Sequence, residues 1–586
     1  MSPLSLALSC LLAAAPVHAY EDVITTEEME GALENNKLGE VFSQYLATLQ
    51  MYEPERATRL GLHGADHALT QRTPERVAKE LEAVKRLRAK LGEIQKKSMS
   101  PALKIDLETL KRMLEADIHE LEDPGPPARR PQSYLEPLFL VYQMMSKDYE
   151  EYATRSANAI LRLKQFPAVL EQAERNLSHP PEAWTRHAIK QANDALTYIS
   201  DLVPLFRGYT RYDPALKARL DETMEDVKTA LAHYAAFLES DVLPASDGDP
   251  RAGKDAYAFY LERLHALDVT PGAALSYSKK TFKKSLARLE SEARNIDGIL
   301  ASEKGWKGVL EKLPKEHPPA DDILKVFRDE MDRAFQYFDE HKVVEFPRTR
   351  LQIKRTPGFM AAVLPYVHYA PSFALDDVRV SELFVMLPPD SAPEASREKA
   401  LSAGFNYAQA ELLTAYAIMP GMHLRAFEAS SNRSKIRRIS RQPVVANGWA
   451  SYSELLAEET GYYSSYWSRF LRCYVQALRA ARAYADAALH TKKWTQEEAS
   501  VFFQEKLFLT KTQADAEVLR LSLSPTEAFS YVIGMDRILE LRRYYQRTEG
   551  KSFDLRRFHS RFLRLGEIPM DRIEAEMLRQ ELEEKK

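Results

Sequence analysis

Only 2 of the 586 residues are cysteine, Cys10 and Cys473. If the leader that carries Cys10 is removed, Cys473 stands alone and no internal disulfide can brace the fold. Glycine is scarce too, at 21 residues against a norm of roughly 7%. With Ala, Leu, Glu, Lys and Arg abundant, that scarcity favours helix over sheet. No apolar run is long enough to span a bilayer. Charge of one sign is also lacking: 81 Lys and Arg face 85 Asp and Glu, a formal net charge of −4. That balance points to neither nucleic acid nor an anionic membrane surface as a partner. Repeats and low-complexity tracts are missing as well.

What is present is material for a large core, with 45% hydrophobic residues and 10% aromatics. That composition excludes a mainly disordered chain. The length exceeds the usual single domain, so one very large or two coupled helical lobes are expected, over about 20–300 and 301–586. Residues 1–19 have the form of a cleavable signal peptide: an apolar run from Leu4 to Ala15, then small Val17 and Ala19 before Tyr20. Export to the periplasm or medium is therefore expected. Cys10 follows Ala7-Leu8-Ser9, a poor lipidation signal.

Helical periodicity runs over 25–121. A proline cluster at 123–131 predicts an extended connector. Helix resumes from about 146 to 239, where Met224, Val227, Leu231, Tyr234 and Leu238 form an apolar stripe. After a loop at 243–253, helix returns at 279–299. Short strands are expected at 351–353, 361–364 and 381–386, between prolines. From 394 onward the pattern is helical, with loops near 430–432 and 441–443.

Two segments are the most informative. Tyr416-Ala417-Ile418-Met419-Pro420-Gly421-Met422-His423 ends one helical stretch, and Asn447-Gly448-Trp449-Ala450-Ser451-Tyr452-Ser453-Glu454 opens another. Together they resemble the core of a bacterial family of predicted zinc metallohydrolases, domain-of-unknown-function family 885. Its usual wording is His-Glu-x-x-Pro-Gly-His-His, then Glu-Gly-Trp-Ala-x-Tyr-x-Glu. Other blocks resemble the family in the same order: Tyr52 to His63, Gly253 to Tyr257, Leu267 to Pro271, Glu517 to Arg520, Ser530 to Gly534 and Gly566 to Pro569.

The resemblance implies a large, two-lobed, mainly α metallopeptidase-like fold with a small β-sheet beside the former metal helix. It also shows what has been replaced. Tyr416 stands for the first His, Ala417 for the Glu, Met422 for a later His and Asn447 for the downstream Glu. A catalytic zinc takes about three N, S or O ligands plus a water, and a nearby Glu moves protons. Four losses at one site imply no zinc cofactor and an inactive enzyme that keeps a cleft for a peptide or protein partner. The alternative is a hydrolase whose metal site is rebuilt around His423, Glu454 and Glu458. A structural envelope component with no ligand is a third possibility.

Further cleft candidates are Arg520 and Tyr531, which match family positions that would orient a peptide carbonyl, and His368, just before the motif helix. Leu521 and Glu527 depart from the family's Tyr and Gln. His63 and His67 lie at i, i+4 but have no third ligand. Cys473 falls within a helical pattern, as expected of a packed small side chain.

Overall fold

The computed structural model describes residues 26–96, 99–122, 125–211, 213–346, 350–360 and 367–584. The leader at 1–19 and the strand expected at 361–364 lie outside them.

Helix dominates, and many helix starts are legible as caps. Thr270 accepts a hydrogen bond from the Ala273 N–H at 3.2 Å, and Pro271 opens the helix behind it. A cap hydroxyl satisfies an orphan donor, and proline at the first position loses no bond. The same device recurs at Thr73-Pro74 and Asp213-Pro214. The proline cluster differs from expectation. Gly125–Arg129 is a helical turn and Pro131–Leu135 a 3-10 turn, since proline is compatible with a helix's first turn.

Six helices position the motif segments: α1 (Pro271–Ile296), α2 (Tyr407–Ala417), α3 (Met422–Ser430), α4 (Pro443–Glu459), α5 (Tyr466–His490) and α6 (Glu527–Glu549). α1 packs most extensively on α5, and α4 on α6. The α4–α6 crossing is unusually close. A Cβ on Gly448 would lie 2.5 Å from the Gly534 carbonyl carbon, and one on Gly534 would strike the Val444 carbonyl oxygen. Both glycines are therefore required by backbone approach.

The small sheet comprises β1 (Arg350–Arg355), β2 (Val367–Ala370) and β3 (Val380–Val385). β3 is central, parallel to β1 and antiparallel to β2. It is buried along its whole length. Its alternating side chains divide between two cores: Leu383 and Val385 join the largest apolar cluster, and Phe384 joins a second one built from residues 69–242. The largest cluster extends from Tyr257 through the C-terminal helices, with Ile105 added from the N-terminal part. A third cluster lies among residues 38–114, closed by Ile436 and Ile439. The sheet thus sits beside the motif helices: Tyr369 of β2 meets His423 of α3, with ring centroids 5.6 Å apart.

Candidate functional site

The helix carrying Tyr416 does not continue to His423. It ends at Ala417, the backbone turns through Ile418 to Gly421, and α3 begins at Met422. Gly421 sits so close to the carbonyls of Ala415 and Tyr416 that no side chain fits there. Trp449 locks the turn, donating from Nε1 to the Pro420 oxygen at 2.8 Å and stacking on Phe562. These bonds account for the Pro-Gly and Gly-Trp pairs in the motif. Because of the break, His423 and Tyr416 do not share a face.

A side-chain cation stands between the motif segments. Arg479 of α5 makes a two-pronged pair with Glu454 of α4; the Nη2–Oε1 bond is 2.7 Å, and Nη1 bonds Oε2. Both residues are buried. The same guanidinium lies 4.9 Å from the Tyr416 ring centroid and 5.7 Å from that of Tyr531. The two phenol oxygens are 3.4 Å apart. Burial alone would lower Arg479, but the charge and hydrogen bonds of Glu454 outweigh it and hold the guanidinium above its ordinary pKa. This is a closed, charge-neutral group: one carboxylate, one guanidinium, two aromatic faces.

The remaining sequence candidates go elsewhere. His423 is buried; one ring nitrogen lies 3.1 Å from the Tyr369 hydroxyl, and burial pushes its pKa down to about 4. Glu458 pairs with Arg472 and, at 2.9 Å, with Arg288. Asn447 donates to the Ser530 hydroxyl at 2.9 Å. Ala417 lies in the core and Met422 packs at its edge. Arg520 is exposed on Glu517. His368 sits in β2 between the Phe139 and Phe384 rings, and burial followed by nearby Lys147 lowers it to about 4. His63 bridges Asp66 and Asp376, each at 2.9 Å. Cys473 is a buried free thiol.

The set His423, Glu454 and Glu458 is therefore not brought together in this structure. Each has a different partner, and among the described residues no three His, Cys, Asp or Glu side chains converge to hold a metal ion. These residues do not fit zinc: the one family-type carboxylate, Glu454, is already bound by a permanent cation.

Sequence reasoning missed Arg479. Its signal is a polar stripe on α5, where Arg472, Arg479, Arg482, Asp486 and His490 recur at steps of seven, three, four and four. That spacing keeps one face of the helix charged, and here the face points inward.

An open cleft lies beside this centre. One cavity of about 410 Å³ is lined by Trp184, Phe259, Tyr260, His265, Pro443 and Glu527, among others. A second, of about 450 Å³, carries Arg56, Arg59, Arg112, Arg263 and Arg441 with Glu53, Asp117 and Glu120. The two share Ala116, Glu120 and Leu264 as a common wall. Pro443 lies one helical turn before Asn447, and Glu527 one turn before Tyr531, so the first cavity ends near the motif residues.

The mainly helical fold is similar to that of solved structures. A candidate lipoprotein of unknown function from Shewanella oneidensis superposes with a TM-score of 0.72 at 19% identity, over 94% of this chain and 100% of that one. A candidate lipoprotein from Colwellia psychrerythraea gives a TM-score of 0.75 at 18% identity, over 92% of this chain and 98% of that one. At such identities the likeness is one of fold. No curated protein matches. Residues 54–577 match the family described as bacterial protein of unknown function (DUF885), and the chain belongs to that family.

Proposed function

We propose that this is an exported, catalytically inactive member of a metallopeptidase-like family that keeps its cleft for a peptide or protein ligand. The observation that carries the proposal is the Glu454–Arg479 pair, packed on Tyr416 and Tyr531. In this reading a guanidinium supplies the positive charge that the family resemblance assigns to zinc. Such a group neutralises Glu454 but offers no open coordination position and cannot lower the pKa of a bound water as zinc does. Ala417 removes the proton-handling carboxylate in addition. The leader-like 1–19 and the candidate lipoproteins of the same fold support an envelope location. No helix among the described residues is long and apolar enough to cross a membrane.

Metal analysis of the purified mature protein after dialysis against zinc tests this. Well under one zinc per chain is expected, with a melting temperature indifferent to chelator. Stoichiometric zinc that disappears in His423→Ala would overturn the reading in favour of a rebuilt hydrolase. Repair sharpens the test. Restoring Tyr416→His, Ala417→Glu, Met422→His and Asn447→Glu should bind no zinc while Arg479 remains, and should bind it once Arg479→Met is added.

A further inference from the structure

His63 stands between two carboxylates from distant parts of the chain. Nδ1 lies 2.9 Å from Asp66, three residues on, and Nε2 lies 2.9 Å from Asp376, 313 positions away. An ionised carboxylate only accepts, so a ring bonded to one at each nitrogen carries both protons and a full positive charge. The ring stacks on Tyr149, with centroids 4.0 Å apart. Asp66 does not depend on His63, because it also accepts from the Thr58 hydroxyl at 2.6 Å and the Tyr149 hydroxyl at 2.7 Å. Asp376 does depend on it. Among the described residues no other hydrogen bond reaches its carboxylate, which is 8% exposed.

Asp376 belongs to the loop 371–379 between β2 and β3. That loop bridges two walls of the second cavity. The Leu375 N–H donates to the Leu60 carbonyl at 2.8 Å, and Arg438 Nε donates to the Ala374 carbonyl at 3.0 Å. Leu60 lines the cavity together with Arg56 and Arg59. Arg438 lies in the short helix Lys435–Ile439, which leads into the facing residues Ile439, Ser440 and Arg441. At Gly61, φ is +85° and a Cβ would lie 2.5 Å from an Asp376 carboxylate oxygen, so the loop seats on bare backbone there.

We propose that His63 and Asp376 form a proton-operated latch on this bridge: the loop is held against the Leu60 wall while the ring carries both protons, and released when one leaves. On deprotonation one nitrogen presents a lone pair to a carboxylate at contact distance. Asp66 is fixed by its other two donors, so the contact with Asp376 yields, and that carboxylate turns to water for donors. Burial alone would lower the pKa of His63, but the hydrogen bonds to Asp376 and Asp66 outweigh it and hold the ring at about 9, where the latch changes state. The neighbouring charges are accounted for. Arg162 bonds Thr58 behind Asp66, Arg155 lies over the Tyr149 ring, and these arginines, like Arg438, stay cationic throughout. Tyr149 is kept neutral by burial and by Asp66, and Asp377 is exposed. Lys147 is the one competitor: it bonds the Pro371 carbonyl, lies 4.8 Å from the Phe373 ring centroid, and is pushed down to about 8 by burial.

The test places spin labels at Val378→Cys in the loop and Leu161→Cys on the helix Tyr152–Asn176, in full-length mature protein carrying Cys473→Ser. Both labelled positions are exposed, and Arg162 ties that helix to the His63 segment by donating from Nε to the Ala68 carbonyl at 2.9 Å. The distance between labels is read by pulsed electron paramagnetic resonance from pH 7 to pH 10. One distance should hold at pH 7, and a second, longer one should take over with a midpoint near 9, while far-ultraviolet circular dichroism stays constant. For a group titrating near 9 the released share rises from about 1% to about 90% over that range. Asp376→Asn removes a carboxylate that holds the second proton, so the midpoint should fall by at least about one pH unit. His63→Gln should show the longer distance at every pH. A single distance across the range, a midpoint unmoved by Asp376→Asn, loss of helix over the same range, or a transition abolished by Lys147→Met would each overturn the proposal, the last by assigning the switch to Lys147.

Discussion

The centre beneath Tyr416 and the cleft beside it are both rich in arginine, yet they have opposite characters. In the centre, every charge is answered inside the protein: Glu454 holds Arg479, and the two tyrosine rings cover the guanidinium. In the cleft, Arg59 and Arg441 face open space, and His265 keeps an unanswered nitrogen. A buried charge costs several kcal/mol unless it is paired, so an internal pair has a structural role. An unpaired charge at a cavity wall remains available to a ligand. Residue type alone does not separate these cases; the partner does.

The comparison can be broken most severely at the backbone that holds both regions. Gly534→Val places side-chain atoms against Val444 and Gly448 of α4. Destabilisation at or above the upper end of overpacking costs, about 3 kcal/mol, is expected, read as loss of soluble folded protein or a lowered urea midpoint. A variant with wild-type stability would show that the α4–α6 crossing tolerates more space than the structure gives it.

Next comes the buried pair. Glu454→Ala strands Arg479 without a partner and should cost about 3–5 kcal/mol in urea unfolding. Glu454→Leu with Arg479→Met should recover most of that loss, since an apolar pair of similar volume leaves no charge buried. If the double variant is as unstable as the single one, Arg479 has a role beyond neutralising Glu454.

A smaller effect, and one that depends on pH, is expected at His63. Burial alone would lower its pKa, but the hydrogen bonds that its ring donates to Asp376 and Asp66 outweigh burial and raise it from 6.5 to about 9. The folded value exceeds the unfolded one, so the stabilisation is complete below about 6.5 and disappears as pH rises through about 9. The gap in melting temperature between the wild type and His63→Asn should therefore be widest near pH 6 and close above pH 9. A gap that does not change with pH would show that the contribution of His63 is packing against Tyr149 rather than charge.

The smallest effect tests the cleft. Arg59→Ala and Arg441→Ala should each change stability by less than about 0.5 kcal/mol without ligand, because no internal partner is lost. A penalty near that of Glu454→Ala would mean these arginines are structural.

Much of this fold was legible from short-range pattern. The apolar stripe Met224 to Leu238 is a buried helix face, and the runs at 351–353 and 381–386 became β1 and β3. β2 was missed because Val367-His368-Tyr369-Ala370 is too short to show an alternation, and its strand character comes from pairing with β3. The proline cluster was taken for an extended connector because prolines were counted as breakers. Pro126, Pro127 and Pro131 sit in first-turn positions where they fit. At the site, Tyr416, Tyr531 and Glu454 were singled out and do meet, but the residue that joins them was not. His423 and Glu458 were grouped with Glu454 by spacing, and the turn at Gly421 together with Arg472 separates them.

By itself, the sequence determined the helical class and the family, because periodicity, caps and motif wording are carried by neighbours in the chain. Only the tertiary structure decided which charges are answered. Glu454 and Arg479 are 25 positions apart and Tyr416 and Tyr531 are 115 apart, while Arg59 and Arg441, 382 positions apart in the chain, line one cavity. Whether a charge is quenched or left for a ligand depends on distances that packing sets and that no local pattern encodes.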